Sequence, residues 1–297
     1  MSSRRSFLRD TVSAGALALM PNAARAIDPI RRASGPRMKL SLAAYSFRDY
    51  LAGKDKSMTY EEFVELAAGY DLDAIEPTSY YFPEGVTPGY LRGFRRRAFL
   101  LGLDISGTAI GNDFTHPPGP QLDKEVAHTR KWIDNAVALG APVIRIFAGN
   151  LQNGTTEDQA RRWCTEAIQK CCDYAAERGV LLALENHGGI VTTAGQVLSI
   201  VREINSEWFG VNLDTGNFRG PDPYDELARV APYAVTVQVK TEISAQGEPR
   251  KEADLERVVG ILRKAGYRGY IALEYEARED PKTAVPRHLR TLRKLIT

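Results

Sequence analysis

The 297-residue chain has only three cysteines, Cys164, Cys171 and Cys172, all inside one helical stretch. Vicinal residues at the centre of a helix are ill placed for a stabilising disulfide, so a stapled scaffold is excluded and the three read as small buried hydrophobes. No apolar run reaches the roughly 20 residues of a membrane-spanning helix, the stretch Thr11 to Met20 being too short, and no stable membrane insertion is expected. No Gly-x-Gly-x-x-Gly fingerprint follows an early strand-like run, which argues against a doubly wound dinucleotide-binding sheet. No glycine-rich loop opens the last two helical segments, so a dedicated phosphate cradle is missing and an unphosphorylated substrate is preferred. Linkers rich in Pro, Gly and Ser, low-complexity runs and blocks of like charge are lacking as well, which leaves one domain after a short leader.

An excess of one charge is also missing. The formal net charge is +2, but residues 1–26 hold four Arg and one Asp; the remainder carries 35 basic and 36 acidic side chains, a net of −1. A near-neutral chain has no concentrated basic stripe, and a nucleic-acid partner is not expected.

The leader itself has a pattern. Ser-Arg-Arg-Ser-Phe-Leu-Arg at 3–9 precedes the apolar stretch 11–20 and an Ala24-Arg25-Ala26 cleavage-like tripeptide. This is the form of a twin-arginine export signal, which places the mature protein in the periplasm or otherwise outside the cytoplasm. The expected divisions are a signal over 1–26, a short linker over 27–38 and a folded domain over 39–297.

Within that domain eight β-rich runs alternate with helical patterns: LSLAAYSF, DAIEPTSY, LDISGTAI, PVIRIFAG, LLALENH, FGVNLDTG, VTVQVK and YIALEYE. Apolar spacing predicts helices over 60–68, 88–101, 126–139, 157–178, 193–204, 224–230, 253–264 and 283–295. Thr59, and Thr155-Thr156 before Glu157, are placed as helix N-caps, and Gly140, Gly179 and Gly266 as helix stops before the next strand. Eight such units predict an α/β fold, a (β/α)8 TIM barrel, whose active site lies at the C-terminal ends of the strands.

Four consecutive strands in the second half end on an oxygen-bearing side chain: Glu185, Asp214, Gln238 and Glu274, at intervals of 29, 24 and 36 residues. Each interval is about one strand-plus-helix unit, so the four converge on one mouth. Converging carboxylates repel one another unless a cation lies among them, and an all-oxygen set suits one divalent metal ion, Mn²⁺ before Mg²⁺, Co²⁺ or Zn²⁺. For any single member the competing reading is a helix N-cap or a structural ion pair; the common register of all four favours a shared site.

The motifs Leu-Glu-Asn-His (184–187), Leu-Asp-Thr-Gly-Asn (213–217), Val-Gln-Val-Lys (237–240) and Leu-Glu-Tyr-Glu (273–276) resemble those of the xylose isomerase-like sugar isomerase/epimerase barrels, from Leu40 to the C-terminus. In many members the third ligand is a histidine. Glutamine at 238 is similar to the branches of hydroxypyruvate isomerases and some dehydroshikimate dehydratases, and it weakens a ketose 3-epimerase assignment. The family's endonucleases bind three zinc ions through many histidines, which four histidines cannot supply.

The resemblance implies a sugar or keto-sugar substrate, with Glu185 and Glu274 exchanging a proton through a metal-stabilised enediolate. Isomerisation or epimerisation is the leading expectation. Elimination from a keto-glycoside or keto acid, and a non-catalytic binding barrel, are the alternatives. A homo-oligomer is compatible with all three.

Other strand ends supply further candidates. Lys240 follows Gln238 by two residues and by strand alternation faces the same side, where it neutralises an oxyanion or else pairs with Glu276. His187, two after Glu185, is placed to touch a hydroxyl, relay a proton or orient Glu185, or to make a plain structural bond. Asn217, Asn112, Glu76 and Arg145 are candidate substrate contacts, though for Glu76 and Arg145 an ion pair with each other inside the barrel is expected before a direct catalytic role. Tyr80, Tyr81 and Phe82 form a lid or a packed loop.

Overall fold

The structure is a computed structural model that describes residues 27–53 and 56–297; the export signal read at 1–26 lies outside the described residues. Strands run β1 (Arg37–Ala43), β2 (Ala74–Glu76), β3 (Asp104–Ile105), β4 (Thr108–Ala109), β5 (Val143–Ile146), β6 (Leu181–Glu185), β7 (Phe209–Asp214), β8 (Ala234–Val239), β9 (Glu242–Ile243), β10 (Lys251–Glu252) and β11 (Arg268–Leu273). Helices are α1 (Arg48–Leu51), α2 (Tyr60–Ala68), α3 (Pro88–Leu100), α4 (Pro120–Leu139), α5 (Glu157–Ala176), α6 (Ala194–Val201), α7 (Pro223–Val230), α8 (Leu255–Lys264) and α9 (Pro281–Ile296). None of them is long and apolar enough to cross a membrane.

Nine of the strands form one parallel sheet in the order β3-β2-β1-β11-β8-β7-β6-β5-β4. Its two ends, β3 and β4, are the halves of one predicted strand, and Thr78 bridges across to Ala109. The sheet is therefore a nearly closed barrel of eight strand positions, as the alternation predicts. The third strand is broken at Ser106-Gly107. There Ser106 Oγ turns to Ser41 Oγ (2.8 Å) and to the Ile75 carbonyl (3.1 Å), and a Cβ on Gly107 would approach Val143 to 2.9 Å. The antiparallel pair β9–β10, outside the barrel, was not expected.

The helices cover a barrel whose strands are buried on both faces, which is why the strand sequences read as unbroken apolar runs. Thr59 and Thr156 each close a capping box with Glu62 and Gln159, and Gly140 ends α4 in the left-handed conformation (φ 76°). Helix α4 begins six residues before the apolar spacing suggested, because Pro120 fits a first helical turn that buries little. The three cysteines are buried and free on α5.

The segment after residue 26 differs from a free linker. Ile30 N–H donates to the Pro232 carbonyl (3.0 Å), Arg32 Nη2 to the Ala234 carbonyl (2.7 Å), and β1 already begins at Arg37. These contacts tie the segment to the start of β8, at the barrel end opposite the strand C-termini.

The loops after β4 and β5 are locked together by Asp113, whose carboxylate accepts from the Thr115 amide (2.9 Å), the Asn150 amide (3.3 Å) and Gln152 Nε2 (3.2 Å). Gly149 makes room for it: its φ is 121°, and a Cβ there would collide with Asp113 Oδ1. Gly149→Ala is expected to destabilise the protein by about 2 kcal/mol through strain and loss of this lock. Urea unfolding measures it, and a change below about 0.5 kcal/mol would contradict the assigned role.

Candidate functional site

Strand ends assemble the mouth of the barrel. Glu76, Glu185 and Asp214 are the last residues of β2, β6 and β7, Gln238 lies one residue before the end of β8, and Glu274 follows β11 directly. All five are buried. A register irregularity between β7 and β8 sets this arrangement: Val211 pairs with Ala234 but Asn212 with Thr236, so β8 carries an extra residue and Gln238 comes opposite Asp214.

Two cations stand among these acids. Lys240 Nζ lies 2.9 Å from Glu274 Oε2, 3.4 Å from Asp214 Oδ2 and 2.9 Å from Glu276 Oε1. The inward direction predicted for Lys240 and its pairing with Glu276 therefore occur together. Arg145, on β5, places Nε 2.9 Å from Glu185 Oε2, donates Nη1 to the Ile110 carbonyl (2.7 Å) and lies over the Phe147 ring at 3.9 Å. Its ionic partner is thus Glu185 and not Glu76, a correction to the pairing expected inside the barrel. Asn217 is brought to the same carboxylate, Nδ2 donating to Glu185 Oε1 at 3.1 Å.

Glu76 instead accepts from Gln238 Nε2 (2.6 Å), while Gln238 Oε1 accepts from Asn212 Nδ2 (2.6 Å). Asn212 was not singled out in the sequence, although it lies two residues before Asp214 on one strand and so shares its face. Asn112, a candidate substrate contact, instead has its amide engaged with the Phe147 backbone, donating to the carbonyl (2.8 Å) and accepting from the N–H (2.9 Å). His187 also departs from strand alternation. Because β6 ends at Glu185, the histidine turns out onto the rim and packs against Phe147, ring centroids 4.3 Å apart. Burial of one face and the nearby Arg145 and Lys240 charges lower its pKa. Tyr81 and Phe82 are buried in an aromatic cluster with Tyr60, and Tyr80 alone stays exposed at the rim.

Burial, reinforced by the Glu274 charge, raises Glu76 to about 7. Burial likewise lifts Glu185 to about 7 against the opposing pull of Arg145, and raises Asp214 against that of Lys240. For Glu276 burial is outweighed by the charge and hydrogen bond of Lys240 together with the Arg48 and Arg250 charges, and the pKa falls. Glu76 and Glu185 hold their protons more tightly folded than unfolded, so the stability they contribute is complete below the ordinary value of 4.5 and is lost as pH rises to about 7. Glu276 acts in the opposite sense, but below 4.5. His128, His187 and His288, whose pKa values burial lowers, act in the opposite sense over the same window, so the test is a difference: metal-free wild type should lose stability relative to Glu76→Gln as pH is raised from 4.5 to 7, and a urea-midpoint difference independent of pH would contradict the assignment.

Chemistry and charge fit a hard divalent cation. Three carboxylates and an amide oxygen form the donor set, five carboxylates (Glu76, Glu185, Asp214, Glu274, Glu276) face two buried cations, and Asp214 Oδ2 is buried without a hydrogen bond. As the side chains stand, no three His, Cys, Asp or Glu among the described residues are placed to grip one ion. Lys240 and Arg145 hold the carboxylates in their own ion pairs.

Similar architectures are known. D-psicose 3-epimerase from Clostridium cellulolyticum H10 is similar at TM-score 0.71 and 14% identity, over 87% of this chain and 99% of that one. L-ribulose 3-epimerase is similar at TM-score 0.69 and 18% identity, over 87% and 94%. The 3-keto-D-glucoside 4-epimerase of E. coli is similar at TM-score 0.66 and 14% identity, over 87% and 100%. Identities this low establish the fold alone. Sequence comparison finds no matching curated protein. Residues 64–295 match the family described as xylose isomerase-like TIM barrel, and the chain belongs to that family.

Proposed function

We propose that the protein is a divalent-metal-dependent isomerase or epimerase of a free sugar or sugar-like ketone. The observation that carries this reading is the pair Glu185 and Glu274, buried in one barrel mouth and each held by a cation, Arg145 or Lys240. Paired carboxylates suit a reaction in which one removes a proton from the carbon beside a carbonyl and the other returns it. The solved neighbours named for sugar 3-epimerases and a keto-glucoside 4-epimerase support the substrate class.

Glu185, Asp214, Gln238 and Glu274 are the residues that would hold the ion. When bound, it supplies Lewis-acid polarisation of the ketone and a neighbouring hydroxyl. The chain's own groups do the rest. Arg145 and Asn217 fix the Glu185 carboxylate from two sides, so that its rotamer is set before substrate arrives. Lys240, within reach of both Glu274 and Glu276, keeps an ammonium at the mouth, where negative charge developing on a substrate oxygen is neutralised. Asn212 and Glu76 fix the Gln238 amide, and Tyr80 offers an exposed ring at the rim to a sugar face.

The same deprotonation, with a leaving group on the next carbon, would give a lyase, and the likeness to a 3-keto-glucoside enzyme favours keto-glycosides among such substrates. Incubation of the purified, Mn²⁺-supplied protein with a panel of ketoses and 3-keto-glycosides tests the proposal. Isomers or epimers support it, release of an aglycone selects the lyase, and no turnover on any member opposes both. The twin-arginine pattern supports export of the folded protein; Arg4→Lys/Arg5→Lys should leave it in the cytoplasmic fraction, and unchanged fractionation would oppose that placement.

A further inference from the structure

Lys240 occupies a position that the metal reading needs. Its ammonium touches Asp214 and Glu274, two of the four candidate ligands, and also Glu276, which is not one of them. A divalent ion bound to the same two carboxylates would lie against the ammonium, and two cations in contact within a buried site repel strongly. The third partner is different in kind. Glu276 lies outward, its side chain 23% exposed, with Arg250 Nη1 at 3.8 Å and its backbone carbonyl bonded by Arg48.

The root of the lysine is fixed. A Cβ on Gly216 would come within 2.6 Å of Lys240 Cγ and 2.7 Å of its Cβ, so the stem is wedged at this glycine and only its distal part is free to turn. A small cleft lined by Asn217, Thr241, Arg250 and Glu276 adjoins that distal part. The cleft is narrow, about 10 Å³, so the shift is a short one, onto a counter-charge that lies on the outer side one carboxylate away.

We propose that Lys240 is an exchangeable resident cation: its ammonium holds Asp214 and Glu274 when no metal is bound and swings onto Glu276 to admit a divalent ion. Glu276 is then the positioning residue for Lys240, acting on the metal only through the lysine. The inference rests on the proposed metal site, and the experiment separates the failure of the two.

Mn²⁺ affinity is measured by calorimetry on the full chain for wild type, Lys240→Met, Glu276→Gln and the double variant, with thermal melts to verify folding; Lys240→Gln replaces the methionine variant if that one does not fold. Removal of the competing ammonium should tighten Mn²⁺ by about 10-fold, and its Mn²⁺-induced rise in melting temperature should exceed that of wild type. Glu276→Gln should weaken Mn²⁺ by about 10-fold when Lys240 is present and by less than about 2-fold when it is absent. A structural role, or charge acting through space, would give effects that simply add, and that result overturns the exchange. Mn²⁺ binding by Lys240→Met but not by wild type supports Lys240 as occupant while overturning metal dependence of the natural protein. An affinity unchanged by Lys240→Met, or no binding by any of the four proteins, overturns the inference.

Discussion

Glu185→Gln and Glu274→Gln are each expected to lower kcat/KM by about 10²- to 10⁴-fold, the usual contribution of a positioned general acid or base. The amide keeps the shape of the carboxylate and removes only its capacity to carry a proton. Glu274→Gln leaves Lys240 paired with Asp214 and Glu276, whereas Glu185→Gln strands the buried Arg145 guanidinium and is expected to lower stability as well, so thermal melts accompany the kinetics. The double variant should be little slower than either single one, because a proton taken by one group and returned by the other makes the two a unit. Steady-state kinetics on the substrate found in the panel checks this. A loss below about 10-fold in either single variant would mean that the proton moves elsewhere.

Arg145→Met is the second large effect. Arg145 is buried and spends its guanidinium on Glu185, on the Ile110 carbonyl and on the face of Phe147. Methionine fills part of the volume but leaves the Glu185 charge unpaired, which for a buried pair costs about 3–5 kcal/mol. Glu185 is already raised to about 7 with Arg145 pulling it down, so its removal shifts the carboxyl further up. The destabilisation is therefore expected to be larger at pH 8 than at pH 5, where the carboxyl is protonated and no charge is stranded. The acid limb of the pH–rate profile should move to higher pH by the same logic. Arg145→Lys would not restore wild-type behaviour, since an ammonium cannot reach Glu185, Ile110 and Phe147 together. Equal urea midpoints for wild type and Arg145→Met at pH 8 would contradict the pairing.

The fold was legible because its strands announce themselves twice, as buried apolar runs and by their spacing. Every one of the eight runs lies in the barrel, and Thr59, Thr156 and Gly140 mark helix ends through local hydrogen bonding and backbone conformation that depend on few neighbours. The break at Ser106-Gly107 was not legible, because it depends on Val143 and Ser41, distant in sequence. The start of α4 was missed for the complementary reason: its first turn buries little, so no apolar period reveals it.

The site divides in the same way. Convergence of Glu185, Asp214, Gln238 and Glu274 follows from strand ends, which the sequence displays. Which charge meets which does not. That Arg145 turns to Glu185, that Gln238 is clamped between Asn212 and Glu76, and that Asn112 is consumed by the Phe147 backbone are decided by side-chain reach across the barrel. His187 shows the limit of alternation: the rule ends with the strand at Glu185, and two residues later the side chain is already out on the rim.

The central claim is that a carbon-bound proton is removed by one of two facing carboxylates and returned by the other. Turnover in D₂O, with the product examined by NMR and mass spectrometry, tests it most directly. The account predicts one deuterium at the carbon beside the carbonyl for the wild type, and none for Glu185→Gln or Glu274→Gln. Product formed by the wild type with its original carbon-bound hydrogen retained would contradict it, because the hydrogen would then have moved by hydride shift or been returned by the same carboxylate that removed it, and not been supplied by the second.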